Sequence, residues 1–395
     1  MGAAFIMAAS AIGPGFLTQT VQFSAEYLTS LSFVIVCVIV MDFVVQLNIG
    51  SVIGATGLHG QEIANQVLPG LGTLLVFCIS VGGLSFNIGN ISGAALGLET
   101  LLGLNEKISA VLGGGLAICI FLSKNGKPLI DRIAQIFSAI ILLTIFVICI
   151  TSNPPIGKAA AGIFCPEDPV GLVIPMLTLL GGSCGGYICF SGAHRLLDSG
   201  LGGKAEDAKI FRKSSILGIC VSGTTRIILF LAVLGVCYSG GVEIAQNAQA
   251  ITSASNPASE FFRLCAGALG YRIFGLILFC ASITSVLGAA YTSVSFLKTL
   301  HPLIQEYERF ITCGFIFVST LLLVVLGSAK RMILLAGAVN GFVLPISLCC
   351  ILLACGNKRI VGDEYRHPLP LKLAGWVVVT FAFALAFLTV QNLLV

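Results

Sequence analysis

The chain is predicted to be an all-α integral membrane protein whose eleven spans form a five-plus-five inverted repeat with one extra helix. Three observations carry that expectation. Charged residues make up only 10% of 395 residues and hydrophobic ones 57%, with a mean hydropathy of +1.03; soluble domains hold about 25% charged residues. Apolar runs of the roughly 20 residues needed to cross a bilayer recur along the whole length. Finally, Gly13-Pro14-Gly15 and Gly181-Gly182-Ser183-Cys184-Gly185-Gly186 interrupt two of these runs roughly 170 residues apart, and each is followed at once by an aromatic residue, Phe16 and Tyr187.

The eleven runs fall near 2–28, 30–54, 71–102, 108–123, 133–152, 170–198, 213–239, 270–297, 310–328, 331–354 and 373–394. Run 1 lacks a charged leader and a small-x-small cleavage site and continues into Phe16–Leu28. It reads as a retained helix rather than a signal peptide, with no leader expected ahead of it. With the N-terminus placed inside, 14 of the 21 lysines and arginines fall on the cytoplasmic side and six on the outer side. That bias predicts a cytoplasmic N-terminus and an outward C-terminus. The polar stretch Gly240–Ser259 reads as an exposed outer loop. The domain is single: repeat one near 1–152, repeat two near 170–354, and an extra helix near 373–394.

Several function classes drop out on composition. A net charge of +4, with basic residues scattered through loops, gives no nucleic-acid footprint. The 15 cysteines lie mostly inside apolar runs, with no C-x-x-C pair and no His/Cys cluster of zinc spacing. They read as small packing residues rather than a disulfide scaffold or a metal site. No nucleophile elbow or metalloprotease helix is present, so an enzyme is not expected. His59, His194, His301 and His367 lie in or beside cytoplasmic loops with no ligand spacing among them.

A lipid-facing helix cannot release its backbone hydrogen bonds, so breaks at membrane depth survive only inside protein or beside a water-filled cavity. Breaks at matching positions of two halves are the best sequence pointer to a transporter's substrate site. Runs 1 and 6 hold the two glycine clusters, so a five-helix unit restarts with opposite orientation, the LeuT arrangement. A packing alternative exists for each cluster alone, because closely spaced glycines also let helices touch.

Here the residues resemble a known family. Ile53-Gly54-Ala55-Thr56-Gly57 is similar to a motif ending helix 2 of the natural resistance-associated macrophage protein (NRAMP) transporters, within the LeuT-fold APC superfamily. Gln46, Ser92-Gly93-Ala94-Ala95-Leu96-Gly97-Leu98, Phe261–Phe296 and Leu344-Pro345 continue the match over most of the chain. The resemblance implies a metal transporter's frame, but not its ligands. The family's Asp-Pro-Gly-Asn falls on Gly13-Pro14-Gly15-Phe16, its Met-Pro-His on Gly185-Gly186-Tyr187, and its helix-3 acidic pair on Asn87 and Asn90. None of the family's metal ligands is retained. The chain resembles a glycine-motif bacterial branch of this group, which places it in the bacterial inner membrane.

Half-helix N-termini present free N–H groups and a positive dipole end, which favour an anion. Glycine there lets backbone approach a ligand closely. The expected substrate residues are therefore Gly13, Gly15, Phe16, Gln19, Gly185, Gly186, Tyr187 and Asn87. Phe16 and Tyr187 supply an apolar wall with one hydroxyl. This set suits a small carboxylate with an apolar body, an amino acid or a cyclic relative such as 5-oxoproline. The resemblance also points to 5-oxoproline, since genes of that branch often neighbour 5-oxoproline-degrading enzymes. The alternative is a divalent metal (manganese or magnesium) carried without the family's proton-coupled site.

In run 8, Ala281, Thr284 and Ser285 share one helical face and resemble the sodium-site pattern of LeuT-type transporters. With carbonyls near Gly13 and Phe16 they form a candidate sodium site, sodium being the expected coupling ion; no cofactor is expected. Asp42 and Arg226 are charges at mid-depth, each costing on the order of 3 kcal/mol to insert. A structural Asp42–Arg226 ion pair is the economical reading; the other is an Arg226 fork on a substrate carboxylate. Asn340 lines the route or bonds a neighbouring helix. The expected partners are the lipid bilayer and a small solute or ion, and the expected state is a monomer.

Overall fold

The computed structural model describes residues 13–123, 126–238, 244–298 and 302–394. The part of run 1 before Gly13, and His301, lie outside them. Among the described residues every regular element is helical. We number the α-helices that matter here in chain order: α1 Pro14–Tyr27, α2 Leu31–Thr56, α3 Gly60–Val67, α4 Leu71–Leu102, α5 Glu106–Leu122, α6 Gly126–Thr151, α7 Ile156–Phe164, α8 Val173–Cys184, α9 Ile188–Asp198, α10 Asp207–Tyr238, α11 Ile244–Ser253 and α12 Pro257–Leu297. The short α13 Pro302–Glu306 precedes α14 Glu308–Leu326, α15 Ala329–Ala354, α16 Lys358–Val361 and α17 Leu369–Leu394.

Local chemistry sets the boundaries. Gly13 is extended and Pro14 occupies the first helical position of α1, where its missing N–H costs nothing. Asn105 and Asn256 cap α5 and α12 by accepting the Lys107 and Ser259 N–H groups. Gly57 and Gly103 end α2 and α4 in left-handed conformation, at φ 67° and 68°. On length and composition, eight stretches of the described residues can cross a membrane, nine if the bent pair Gln135–Thr151 and Ile156–Phe164 counts as one. Against the eleven spans expected from the sequence, α1 and α2 run on as one 43-residue stretch, and α5 has only 17 residues. Phe77, Leu143 and Val325 point outward with about two-thirds of their surface exposed, as lipid-facing side chains do.

The helices pack through glycine. α4 meets α12 where a Cβ on Gly97 would lie 2.7 Å from the Phe279 nitrogen. α8 meets α15 where a Cβ on Gly341 would lie 2.7 Å from the Leu177 carbonyl oxygen. α1 sits centrally, touching α4, α8, α10, α11, α12 and α15, and buries a polar run of Thr18, Gln19, Thr20, Gln22 and Ser24. The connection expected to be an exposed outer loop contains α11 instead. Ile251 is fully buried there, and α11 packs on α1, α10 and α12. Its apolar positions are few but lie on one face, which a tally of polar residues overlooks.

At the Thr56 end, the segment before α17 is tied to α2 by side chains. The Tyr365 hydroxyl donates to His367 Nδ1 at 2.8 Å, and His367 Nε2–H donates to Asn48 Oδ1 at 2.9 Å. Asn48 Nδ2 donates onward to the carbonyls of Val44 and Leu371. Asn48 Oδ1 can only accept, so Nε2 carries the proton, and a neutral ring leaves Nδ1 to accept from Tyr365. Burial, then the charges of Arg212 and Lys372, push the His367 pKa down to about 4. An unfolded chain's histidine titrates near 6.5, so between those values the unfolded state binds more protons than the folded one. The contribution is complete above about pH 6.5 and is lost as pH falls towards 4. In detergent, the melting temperature of the protein is expected to drop between pH 7 and 4.5, and His367→Gln to make that drop shallower. An equal slope in the variant would show that His367 is not its source.

Candidate functional site

The run-6 cluster divides into two working pairs. Gly181 and Gly182 lie inside α8, where a Cβ on Gly181 would strike Gly337 and Gly341 of α15, and one on Gly182 would strike Gln19. That is the packing role. Gly185 and Gly186 separate α8 from α9: Gly185 is extended, and Gly186 has φ 55°, a left-handed value that favours glycine. Asn340 of α15 fills the gap. Its Nδ2 donates to the Gly82 carbonyl at 3.0 Å and the Ala336 carbonyl at 2.8 Å, while its Oδ1 occupies the place of a Gly186 Cβ. Asn340 therefore bonds a neighbouring helix, as one of its two readings had it, and also props the interruption.

In run 1, Gly15 is not crowded: its Cβ would lie 3.6 Å from Gln19 Nε2, an ordinary contact. Gln19 is fully buried, and its Nε2 donates to the Ile333 carbonyl at 2.8 Å. Gln19 thus joins α1, α8 and α15 at the crossing made by Gly182 and Gly337, and only its Oε1 is without a partner.

Phe16 leads to the chemistry. It lines a small crevice with Val38, Ile39 and Asp42 of α2, Ser183 of α8, and Ser222, Gly223 and Arg226 of α10. The space holds about one water molecule. Arg226 is 2% exposed and Asp42 6%. Arg226 Nη1 donates to Ser183 Oγ at 2.5 Å, and the guanidinium carbon stands 4.4 Å from the centre of the Phe16 ring. Such a desolvated cation–π contact contributes about 2 kcal/mol. Arg226 Nε and Nη2 and Asp42 Oδ1 have no hydrogen-bond partner.

The expected Asp42–Arg226 ion pair is not formed. The two charges share the crevice, but Arg226 is turned to Ser183 and Phe16, while Asp42 lies against Gln46 and Cys184. Sequence reading missed Ser183 as a side chain, and Ser222 and Gly223 altogether. A signal existed: Ser222 and Gly223 precede Arg226 by four and three residues, on its own helical face.

Tyr187 stands apart from this crevice. Its ring meets Phe86 edge-on at 5.7 Å, and Asn90 lies beside its hydroxyl. Asn87 donates to Ser319 of α14 at 3.0 Å. For the candidate sodium site, Ser285 Oγ would lie 3.3 Å from a Cβ on Gly13, so these two residues do adjoin. The Thr284 hydroxyl donates to the Ala281 carbonyl at 2.8 Å, and the Gly13 carbonyl accepts from Leu17 N–H at 3.3 Å. Phe16 lies within α1, where its carbonyl belongs to the helical ladder, and its ring faces Arg226. The Phe16 ring thus lines the crevice.

Among the described residues no three His, Cys, Asp or Glu side chains converge as metal ligands. His59 and His194, which have no ligand spacing in the sequence, meet edge to face at 4.7 Å, and His194 Nε2 accepts from Gly60 N–H at 3.1 Å. All 15 cysteines are free.

A family model described as natural resistance-associated macrophage protein-like matches residues 4–392. An uncharacterized membrane protein of Bacillus subtilis, YcsG, is 47% identical over 379 residues, covering 96% of this chain and 91% of that protein. An uncharacterized membrane protein of Haemophilus influenzae is 44% identical over 381 residues, covering 96% and 92%. Among solved structures, a variant of the Eremococcus coleocola manganese transporter superposes with a TM-score of 0.75 at 16% identity, covering 99% of this chain and 86% of that one. At that identity the likeness is one of fold.

The two glycine clusters should respond differently to a methyl group. Gly186→Ala combines a left-handed backbone with the Asn340 collision, and is expected to destabilise by about 1–3 kcal/mol or to prevent folding. Gly15→Ala is expected to leave the detergent melting temperature unchanged or slightly raised. Equal losses in the two variants would contradict this division.

Proposed function

The chain belongs to the natural resistance-associated macrophage protein-like family of membrane transporters, and we propose that it carries a small organic carboxylate bound at Arg226. One observation carries the reading: a guanidinium buried in a lipid-embedded bundle keeps two donor nitrogens without partners. An incompletely paired buried cation costs several kcal/mol. A carboxylate is the planar two-oxygen acceptor that matches the guanidinium fork. Phe16 then covers the cation, and Ser183 fixes one edge of it.

The glycine-flanked helix starts remain part of this reading, at the edge of the site. Ser183 and Cys184 end α8 immediately before the break, so the crevice and the interruption are continuous along the chain. Space for one water molecule is too little for any organic solute, so this state is closed around the site. Loading requires α1 and the α8–α9 segment to move relative to α2 and α10, which is alternating access in a five-plus-five repeat of eleven spans. Repeat one covers about 1–152 and repeat two about 170–354, with the last span outside the repeat. The bias of basic residues supports a cytoplasmic N-terminus in a bacterial inner membrane, and the transporter works as a monomer. Sodium is the proposed coupling ion, supported by the adjacency of Gly13 and Ser285.

Purified protein challenged with small carboxylates, 5-oxoproline included, and with manganese and magnesium separates the readings. A carboxylate at a hundred times its Kd adds about 2.7 kcal/mol of apparent stability. Arg226→Lys, which keeps the charge and loses the fork, should abolish that gain while remaining monodisperse. Micromolar manganese binding with no response to any acid would overturn the proposal in favour of a divalent cation. For coupling, Thr284→Ala should raise the sodium concentration needed for half-maximal uptake; an unchanged dependence removes that site.

A further inference from the structure

Asp42 shares the Arg226 crevice, and the carboxylate reading gives it no task. It is 94% buried on α2, its Oδ1 has no hydrogen-bond partner, and it forms no ion pair with the guanidinium beside it. Two opposite charges in a low-dielectric space attract strongly. Left to themselves they would close into a pair. Here Ser183 holds one edge of Arg226 and the Phe16 ring covers its face, while Cys184 and Gln46 flank Asp42, so the charges stand apart. Ser222 and Gly223, one turn before Arg226, leave room on the same wall.

Resting on that carboxylate reading, we infer that the transported solute is a zwitterion, an α-amino acid whose carboxylate is held by Arg226 and whose ammonium is held by Asp42. Charge balance selects it. With Asp42 ionised, the crevice holds one positive and one negative group and is neutral. A zwitterion keeps it neutral and gives each buried charge a partner. A simple carboxylate would pair Arg226 and leave Asp42 as an uncompensated buried anion, which costs several kcal/mol. A metal cation would do the reverse, satisfying Asp42 and leaving Arg226 repelled. The ammonium also supplies the donor that Asp42 Oδ1 lacks, and the carboxylate the acceptors that Arg226 Nε and Nη2 lack.

The test is a binding series on the purified protein, read by calorimetry: the common L-amino acids, the acid of the same skeleton without its nitrogen for each, and 5-oxoproline, whose lactam N–H carries no charge. The wild type is expected to prefer its best amino acid over the nitrogen-free counterpart by at least about tenfold, or 1.4 kcal/mol. Asp42→Asn should erase that preference while still binding the nitrogen-free acid, and Asp42→Glu should keep it. Equal affinity for both members of the pair in the wild type overturns the zwitterion inference and leaves the carboxylate reading intact. So does a preference that survives in Asp42→Asn, or tighter binding of 5-oxoproline than of every amino acid. If no acid of any kind binds, the carboxylate reading fails first, and this inference with it.

Discussion

A guanidinium cannot be left partly unpaired inside a lipid-embedded bundle without a reason, and the arrangement around Arg226 depends on that constraint. Ser183, at the end of α8, takes one of its donors, and Phe16, at the start of α1, covers its face. Both supports come from segments next to glycine clusters. The interruption at Gly185-Gly186 places the end of α8 against α2 and α10, and the extended Gly13 with Pro14 starts α1 where its first aromatic ring reaches Arg226. The glycine clusters therefore act chiefly by positioning: they bring two side chains to a buried cation. This differs from a site made of bare helix-end N–H groups.

Much of the frame was legible in the sequence. Apolar runs gave the helices, because in lipid every backbone group must be satisfied within its own segment. Mid-depth charge gave Asp42 and Arg226 as the costly residues. What sequence could not supply was direction. Asn87 and Asn90 are three residues apart on α4, and only packing shows that Asn87 turns to Ser319 while Asn90 stands beside Tyr187. The Asp42–Arg226 pairing failed for a similar reason. Economy of charge predicts that two opposite buried charges meet, but third parties, Ser183 and Phe16 on one side and Gln46 and Cys184 on the other, keep them apart. Ser183 was hidden in plain view, read as part of a glycine string rather than as a hydroxyl.

Packing and function share the same glycines. Gly181, Gly182, Gly337 and Gly341 bring α8, α15 and Gln19 into contact without Cβ atoms between them, while Asn340 props the break one turn further on. The crossing is closed by side chains as well: Gln19 bonds the Ile333 carbonyl, and Leu177 packs against Gly341. The family relationship supplies a transporter's frame, and the crevice residues give that frame a charge pattern of its own. Those charges, Asp42 and Arg226, are of opposite sign and are not paired with each other.

The most direct test of this account is a structure determined with the tightest-binding acid present. The account predicts a crevice widened to admit the solute, with its carboxylate on Arg226 Nε and Nη2 and Phe16 still over the guanidinium. An acid bound instead to the backbone ahead of α1 or α9 while Arg226 keeps its present contacts, or a metal ion held at the break, would contradict it.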